Sequence, residues 1–392
     1  MDKKIAILIK VDANHGSCIF DRSLTALLEK NIHDSNVQVV SYPFCRTRLF
    51  ELLRGLKVNR EIPFFNLLRQ MRLSQYSRNT INKVNLTAFP SYDGILARFE
   101  REKYDVIIPS KVVWDITPDY KFPPFPNFYW PSEKLSAQKF AYAISGHRTD
   151  LSLFRKKQDE VKRKLAPFTM IGVRDDMTQT MMEISGVDKI VPVTRITDPA
   201  FLYEAPKINL ETLFSRLKIE QDRPWVGLLF FGKPQLSKAV VDHYHTRGYR
   251  TINFSMYNQF ADINIGHLVD PDEWAALFKT LSFCITDRFH GTIFCLREGI
   301  PFVSIEPFQP KTLLNSKIYS LLKEFDLIDP CYRDTYNARF SVSELLATCD
   351  NLERNWSEEF STKIQHLVRA KNKHQIKFLR KLCTEILSAI KE

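Results

Sequence analysis

The sequence holds no Cys-x-x-Cys pair, no apolar run of membrane-spanning length and no surplus of acidic residues. Its seven cysteines, Cys18, Cys45, Cys284, Cys295, Cys331, Cys349 and Cys383, are odd in number. Several stand inside apolar runs, where a thiol behaves as a small hydrophobe. That usage fits a reduced, intracellular compartment. The longest apolar stretches, such as WVGLLFF from Trp225 to Phe231, fall far short of the ~20 residues a bilayer requires. The apolar part of the opening MDKKIAILIKVD is only Ile5 to Ile9. That is too short for the core of a signal peptide, so the segment reads as a first β-strand. No C-terminal lipidation box and no short internal repeat are found. Glycine (12) and proline (20) are not enriched enough to suggest disorder.

What is present is an ordinary globular composition. The chain has 392 residues, 44% hydrophobic and 26% charged, and the length suggests two domains. Lys and Arg number 56 against 45 Asp and Glu, a net charge of +11. This balance favours anionic partners, among which nucleic acid, a membrane surface and phosphorylated metabolites all qualify.

Short β-rich runs alternate with helix-like runs. KIAILIK, VQVVSYP, YDVIIPS, KFAYAISG and FTMIGVR read as strands, and the Met-rich DDMTQTMMEISGV as a helix packing Met177, Met181 and Met182. A polar, proline-containing passage over 204–224 reads as a linker. The pattern then restarts with WVGLLFFG, YRTINFS, SFCIT and PFVSIE as strands. DPDEWAALFKTL carries a capping box, with Asp270 as N-cap, Pro271 at N1 and Glu273 at N3. The end, from Trp356, is helical and basic. The expectation is an α/β fold of two domains, 1–203 and 225–392, each with a mostly parallel sheet.

Ligands in such sheets bind beyond the carboxyl ends of the strands, and two such domains leave a cleft between them. Asp287, Arg288 and His290 lie between the strand SFCIT and a helix opening near Gly291; Lys311 follows the next strand. Arg174 ends FTMIGVR in the first half. Arg174, Arg288 and Lys311 can hold an anion with several negative groups, helped by the free N–H groups at the helix start. The plainer reading makes Asp287 a helix cap and His290 a structural loop residue. The HYH motif, His243 to His245, lies on a helix without ligands at metal spacing, and no metal is expected there.

ITDRFHGTIFCLREGIPFVSIEP resembles the signature block of the polysaccharide pyruvyl transferase family. IGVRDDMTQTMMEISGV resembles the family's arginine segment, ITDPAFLYE its Asp-Pro linker, ANHGSCIFDRSLTALL its N-terminal loop and helix, and FAYAISGH its central strand. One departure stands out. Where family members often carry a glycine-rich turn, this chain has PSKVVWDITPDY, without glycine. The resemblance implies two Rossmann-like domains facing a cleft, similar to GT-B glycosyltransferases, with C-terminal helices packing back. It implies transfer of the pyruvyl group of phosphoenolpyruvate to sugar hydroxyls of a glycan, as a ketal, in cell-envelope polysaccharide biosynthesis.

In that reading His290 is the acid that protonates C3 of the donor, since imidazole titrates near neutrality. Arg174, Arg288, Lys311 and Gly291 hold the donor, and Asp287 supports them. Asn14, His15, Arg69 and Arg72 stand on the acceptor side. No cofactor beyond the donor substrate, and no metal, is implied. Two other readings compete. One is a nucleotide-sugar glycosyltransferase of the same architecture, with Glu306 on the ribose. The other is a nucleic-acid-binding protein, although no zinc finger, RNA-binding signature or stacking platform is present.

The segment from Cys45 to Val84 is basic, with Arg46, Arg48, Arg54, Lys57, Arg60, Arg69, Arg72, Arg78 and Lys83 against Glu51 and Glu61. Part of it forms an amphipathic helix with Phe64, Leu67, Leu68 and Met71 on one face. The plain expectation is that this face packs on the first domain. The sharper one is reversible contact with an anionic membrane carrying a lipid-linked acceptor, helped by Lys371, Lys373, Lys377, Arg380 and Lys381. The protein is then expected to be cytoplasmic, and peripheral at the inner membrane face.

Overall fold

The computed structural model describes residues 3–10, 14–33, 35–41, 63–85, 97, 99–118, 124–230, 234–336 and 340–388. The calls on Arg46, Arg48, Arg54, Lys57 and Arg60, with Glu51 and Glu61, lie outside the described residues. Two wholly parallel sheets organise the chain. The first has β1 (Lys3–Leu8), β2 (Ser35–Ser41), β3 (Lys83–Asn85), β4 (Val106–Val112), β5 (Gln138–Ser145), β6 (Phe168–Val173) and β7 (Val193–Arg195), in the order β3-β2-β1-β4-β5-β6-β7. The second has β8 (Trp225–Leu229), β9 (Arg250–Asn253), β10 (Ile263–Asn264), β11 (Leu281–Thr286), β12 (Phe302–Ile305) and β13 (Tyr332–Arg333), in the order β10-β9-β8-β11-β12-β13.

The strands at the sheet centres are buried along nearly their whole length, β5 and β8 among them. Helices cover both faces of a parallel sheet, so its strands are continuous apolar runs rather than alternating ones. Polar side chains set where the helices begin. Asp175 accepts from the Thr178 N–H to open Asp176–Ser185, and Asp270 with Glu273 forms the expected capping box of Pro271–Leu277. Gly299 closes Phe289–Glu298 at φ +68°, a conformation that suits glycine. Met177, Met181 and Met182 are core residues of the first sheet's domain.

In each sheet the strand order reverses direction once, between β1 and β4 and between β8 and β11. At such a reversal the flanking connections go to opposite faces and leave a crevice beyond the strand ends. The fold therefore has two crevices, one in each domain.

Two segments differ from the expected division of the chain. The stretch 204–224 is no open linker, because it contains the helix Leu210–Leu217, whose Leu213 and Leu217 join the second core with Ala200, Phe201 and Tyr203. The last helix, Glu358–Ser388, belongs to both domains. Ile364 and Val368 pack in the second core, while Phe378, Leu379, Leu382, Cys383 and Ile386 pack in the first. Gly172 makes room for this return: a Cβ there would lie 2.9 Å from the Phe378 ring. Gln375 fixes the helix, donating to the Tyr142 hydroxyl at 3.0 Å and the Thr197 carbonyl at 2.9 Å.

The domains are also clasped through Asp272. Asp272, at the start of Pro271–Leu277, accepts from Tyr76 at 2.7 Å, and from Arg22 and Tyr203. The helix Pro63–Thr80 sends Phe65 across to stack on Tyr257 at 5.4 Å. Its expected apolar face does not pack on the first domain. Phe64, Leu67 and Met71 are 63%, 42% and 59% exposed, because the helix buries Asn66, Leu73, Tyr76 and Ser77 instead. No helix among the described residues is long and apolar enough to cross a membrane.

Candidate functional site

β11 ends at Thr286, at the crevice of the second domain, and the chain passes through Asp287 and Arg288 into Phe289–Glu298. The first intrahelical bond runs from Thr292 N to Arg288 O at 3.0 Å. The amides of Phe289, His290 and Gly291 precede it and have no acceptor within the helix. Gly291 is needed for packing: a Cβ there would lie 2.3 Å from Thr286 Oγ1, so the helix sits directly on its strand.

His290 projects from the first turn towards the first domain. Gly16, in the first turn of His15–Asn31, lies against it so closely that a Cβ would be 2.3 Å from His290 Cβ and Cγ. His290 Nε2 is 3.8 Å from Asp198 Oδ2. Asp198 is wholly buried, accepts from Arg174 and caps Pro199–Leu202 through the Ala200 N–H. Burial holds the Asp198 carboxyl above the usual range, with Arg174 opposing it.

Two phenyl rings space the cations around His290. The Phe20 ring has Arg174 Cζ at 5.3 Å and Lys111 Nζ at 5.5 Å. The Phe289 ring has Arg174 Cζ at 5.4 Å and Lys317 Nζ at 5.1 Å. These are cation–π distances, which let positive charges stand close without touching. The result is an arc, Lys111–Phe20–Arg174–Phe289–Lys317, crossing from one domain to the other. Burial first, then Lys317, Arg174 and Lys111, hold the His290 pKa well below the ordinary value. His147, after β5, is lowered by burial and by Lys317, Arg148 and Arg174. These causes all favour the neutral imidazole of His290 over the imidazolium.

Of the residues expected from the sequence, Arg174 and His290 meet at this point. Arg288 is at the rim, its side chain 38% exposed and 2.8 Å from Asp287. Lys311 is elsewhere. The turn after β12 carries it outward, where it pairs with Asp150 of the first domain at 2.7 Å. Lys317 takes the inner position. A lysine in the first turn of a helix opposes the helix dipole. Lys317 directly after the Ser316 cap is thus a signal that could have singled it out.

On the acceptor side, Asn14 caps His15–Asn31 by accepting from Ser17 N. His15 stacks on Trp274 at 5.6 Å, with Nε2 3.2 Å from the Val269 carbonyl. Burial and the charges of Arg69 and Arg72 push its pKa down to about 3. His15 is thus a domain-joining residue, with Arg69 and Arg72 nearby. His243 and His245 pair with Asp350 and Asp262, each at 2.8 Å. Among the described residues no group of three or more His, Cys, Asp or Glu side chains is placed to hold a metal ion.

Lys111 was missed by sequence reasoning. It sits where glycine is absent from the expected turn, with φ +73°, at a register shift between β4 and β5. A non-glycine residue there is strained by about 1–3 kcal/mol, and such strain gathers at functional sites. Its buried ammonium bonds Asp21 at 2.7 Å.

Two Rossmann-like domains, each with a parallel sheet, define a GT-B-type fold. A family model for polysaccharide pyruvyl transferase matches residues 46–307, more than half of the chain, and the chain belongs to that family. Among solved structures, the chain is similar to a UGT transferase from Siraitia grosvenorii in complex with UDP (11% identity, TM-score 0.54, covering 98% of this chain and 99% of that one). It is also similar to UGT2 of Phytolacca americana (11%, 0.54, all of both chains). A third is sucrose-phosphate synthase from Thermosynechococcus elongatus (10%, 0.53, 99% and 100%). These likenesses show the fold. No curated protein matches the chain.

Gly16→Ala is expected to displace His290 and lower turnover at least tenfold, with less effect on the melting temperature; steady-state assays and thermal denaturation check it. A second expectation concerns pH. His290 and His147 bind protons more weakly folded than unfolded, so their contribution is complete above about pH 6.5 and is lost as pH falls below it. Asp115 and Asp198, with raised pKa, act with opposite sign. The histidine part is therefore read as a difference: between pH 7.5 and pH 5.0, His290→Gln should lose less stability than the parent in urea titrations.

Proposed function

We propose that this protein transfers the pyruvyl group of phosphoenolpyruvate to hydroxyls of a glycan, forming a pyruvate ketal. The observation that carries the reading is the arc of Lys111, Arg174 and Lys317 around His290, beside the open amides of a helix start. The donor bears a carboxylate and a phosphate. Arg174 suits bidentate recognition of either group, and the two lysines act as point charges. Lys317 replaces Lys311 in the donor set proposed from the sequence, and Arg288 serves the rim.

The site binds its acid and its substrate together. Without ligand the cations keep His290 neutral. A bound polyanion offsets those cations and favours imidazolium, and Asp198 at 3.8 Å supports the same form. The protonated ring then gives its proton to C3 as the oxygen of a sugar hydroxyl bonds to C2, the hydroxyl's own proton passing to a base beside the acceptor. Phosphate leaves with the C–O electron pair, and a second hydroxyl closes the ketal, its proton returning to His290.

The nucleotide-sugar alternative would use Glu306 on the ribose. Glu306 is buried and accepts from Ser316 Oγ and from the Tyr332 hydroxyl at 2.9 Å, so it is committed to the second domain's core.

Calorimetry with phosphoenolpyruvate tests the reading. Binding at pH 7 should take up a proton, seen as a dependence of the heat on the buffer's ionisation enthalpy. Arg174→Ala and Lys317→Ala should each weaken binding at least tenfold, and glycans incubated with donor and parent enzyme should gain the mass of a pyruvate ketal. Failure to bind phosphoenolpyruvate, or preference for a nucleotide sugar, would overturn it.

The acceptor is proposed to be lipid-linked, on a cytoplasmic protein that rests on the inner membrane face. The exposed stripe of Phe64, Leu67 and Met71, with Arg72 and Arg78 also exposed on the same helix, supports this. Exposed aromatic and aliphatic side chains of this size favour the headgroup layer, and each basic residue near an anionic surface adds up to about 1 kcal/mol. Co-sedimentation with phosphatidylglycerol-containing liposomes should be strong at low salt and reduced by Phe64→Ser with Met71→Ser. Equal recovery in the supernatant for both proteins would remove the membrane from the reading.

A further inference from the structure

The crevice of the second domain is accounted for by His290 and its cations. The crevice of the first domain, between β1 and β4, has residues of its own. Beyond β1 stands Lys10, and three residues beyond β4 stands Asp115. Neither was singled out by the sequence.

The Asp115 segment is rigidly placed. Trp114 N donates to the Ser145 carbonyl at 3.2 Å, and Trp114 Nε1 to the Tyr129 carbonyl at 2.9 Å. The Trp114 ring stacks on Trp130 at 4.8 Å, and Ile116 N donates to Thr149 Oγ1 at 3.1 Å. Asp115 Oδ1 accepts from Arg148 N at 2.9 Å. The other oxygen, Oδ2, is buried without a hydrogen-bond partner, in a residue only 4% exposed. A buried carboxylate oxygen left unsatisfied costs about 1–3 kcal/mol or more, so its retention asks for a reason.

The charges facing Asp115 are those of Arg148, Asp175 and Lys10. Burial and the nearby Asp175 outweigh Arg148 and Lys10 and push the Asp115 pKa up to about 6. A carboxylate so raised is a stronger base than an ordinary one, yet is still ionised near neutral pH. Its setting connects to the donor pocket. Arg148 follows His147, and His147 feels Lys317 and Arg174, the two cations that act most on His290. Asp115 thus follows a central strand of the first sheet as His290 follows one of the second, each beyond the carboxyl end of its strand.

We propose that Asp115 Oδ2 is the base that takes the proton of the attacking acceptor hydroxyl. This rests on the reaction proposed above. In the step, the hydroxyl O–H bond breaks with its proton going to Asp115 as the new O–C2 bond forms. The C2–C3 π pair takes the proton held by His290. Phosphate departs only afterwards.

The test is Asp115→Asn in the full chain, which can keep the bond from Arg148 N. Its affinity for phosphoenolpyruvate by calorimetry should stay within about threefold of the parent. Its turnover in ketal formation should fall by a hundredfold or more, a loss in the range of a general base. The parent's turnover should decline as pH falls through about 6, and the variant should lose that acid limb, which a merely structural residue would not produce. Parent-like turnover in Asp115→Asn, while the parent transfers pyruvate, would overturn the assignment alone. Absence of donor binding and transfer by the parent would overturn the underlying reaction as well. Should the variant fail to fold, Asp115→Glu decides: an acid limb that moves with this substitution supports Asp115, since the donor phosphate's own titration at about pH 6 is common to both proteins, and an unmoved or absent limb removes it.

Discussion

The buried ion pair of Arg174 and Asp198 is the interaction on which the site depends. Asp198 is wholly buried, and a carboxylate in that position is tolerated only if a cation and hydrogen bonds surround it. Arg174 supplies the cation and Ala200 N a hydrogen bond. The pair in turn holds the guanidinium between the Phe20 and Phe289 rings and leaves Asp198 Oδ2 near His290. Removing either partner strands the other charge in a place that water cannot reach. The pair therefore ties together the first sheet, the exit from the first domain and the histidine helix.

The histidine's chemistry follows from the same burial. An isolated imidazole titrates near neutrality; this one is kept neutral by desolvation and three cations. In the proposed reaction such a histidine gains its proton only when a polyanion offsets the cations, so that protonation and donor capture would be one event.

That coupling requires both domains to be held in one relation, since Lys111 and Arg174 come from the first and His290 and Lys317 from the second. Two clasps do this. Asp272 gathers Arg22, Tyr76 and Tyr203, and the Glu358–Ser388 helix straps both cores. Gly16 completes the fit by allowing the first helix to approach His290.

Much was determined by the sequence alone. Apolar runs of strand length, alternating with capped helices, specify two parallel sheets, because local periodicity and capping are local physics. Asp270 with Glu273, and Gly299 as a helix stop, are of this kind. The placement of Arg174 and His290 at strand ends was equally legible, since a parallel α/β unit leaves few other places for them. What the tertiary structure decided were the long-range pairings. Lys311 and Lys317 are six residues apart and chemically alike. Only the path of the turn after β12 sends one outward to Asp150 and the other inward to the Phe289 ring. Asp198 is only part of an Asp-Pro linker in the sequence until Arg174 is found against it. Lys111 and Asp115 lie in a stretch that the sequence marks only by its missing glycine, until the order of β1 and β4 sets them at and just beyond the end of a central strand. Burial and charge balance are sums over neighbours distant in sequence, and only the folded chain brings those neighbours together.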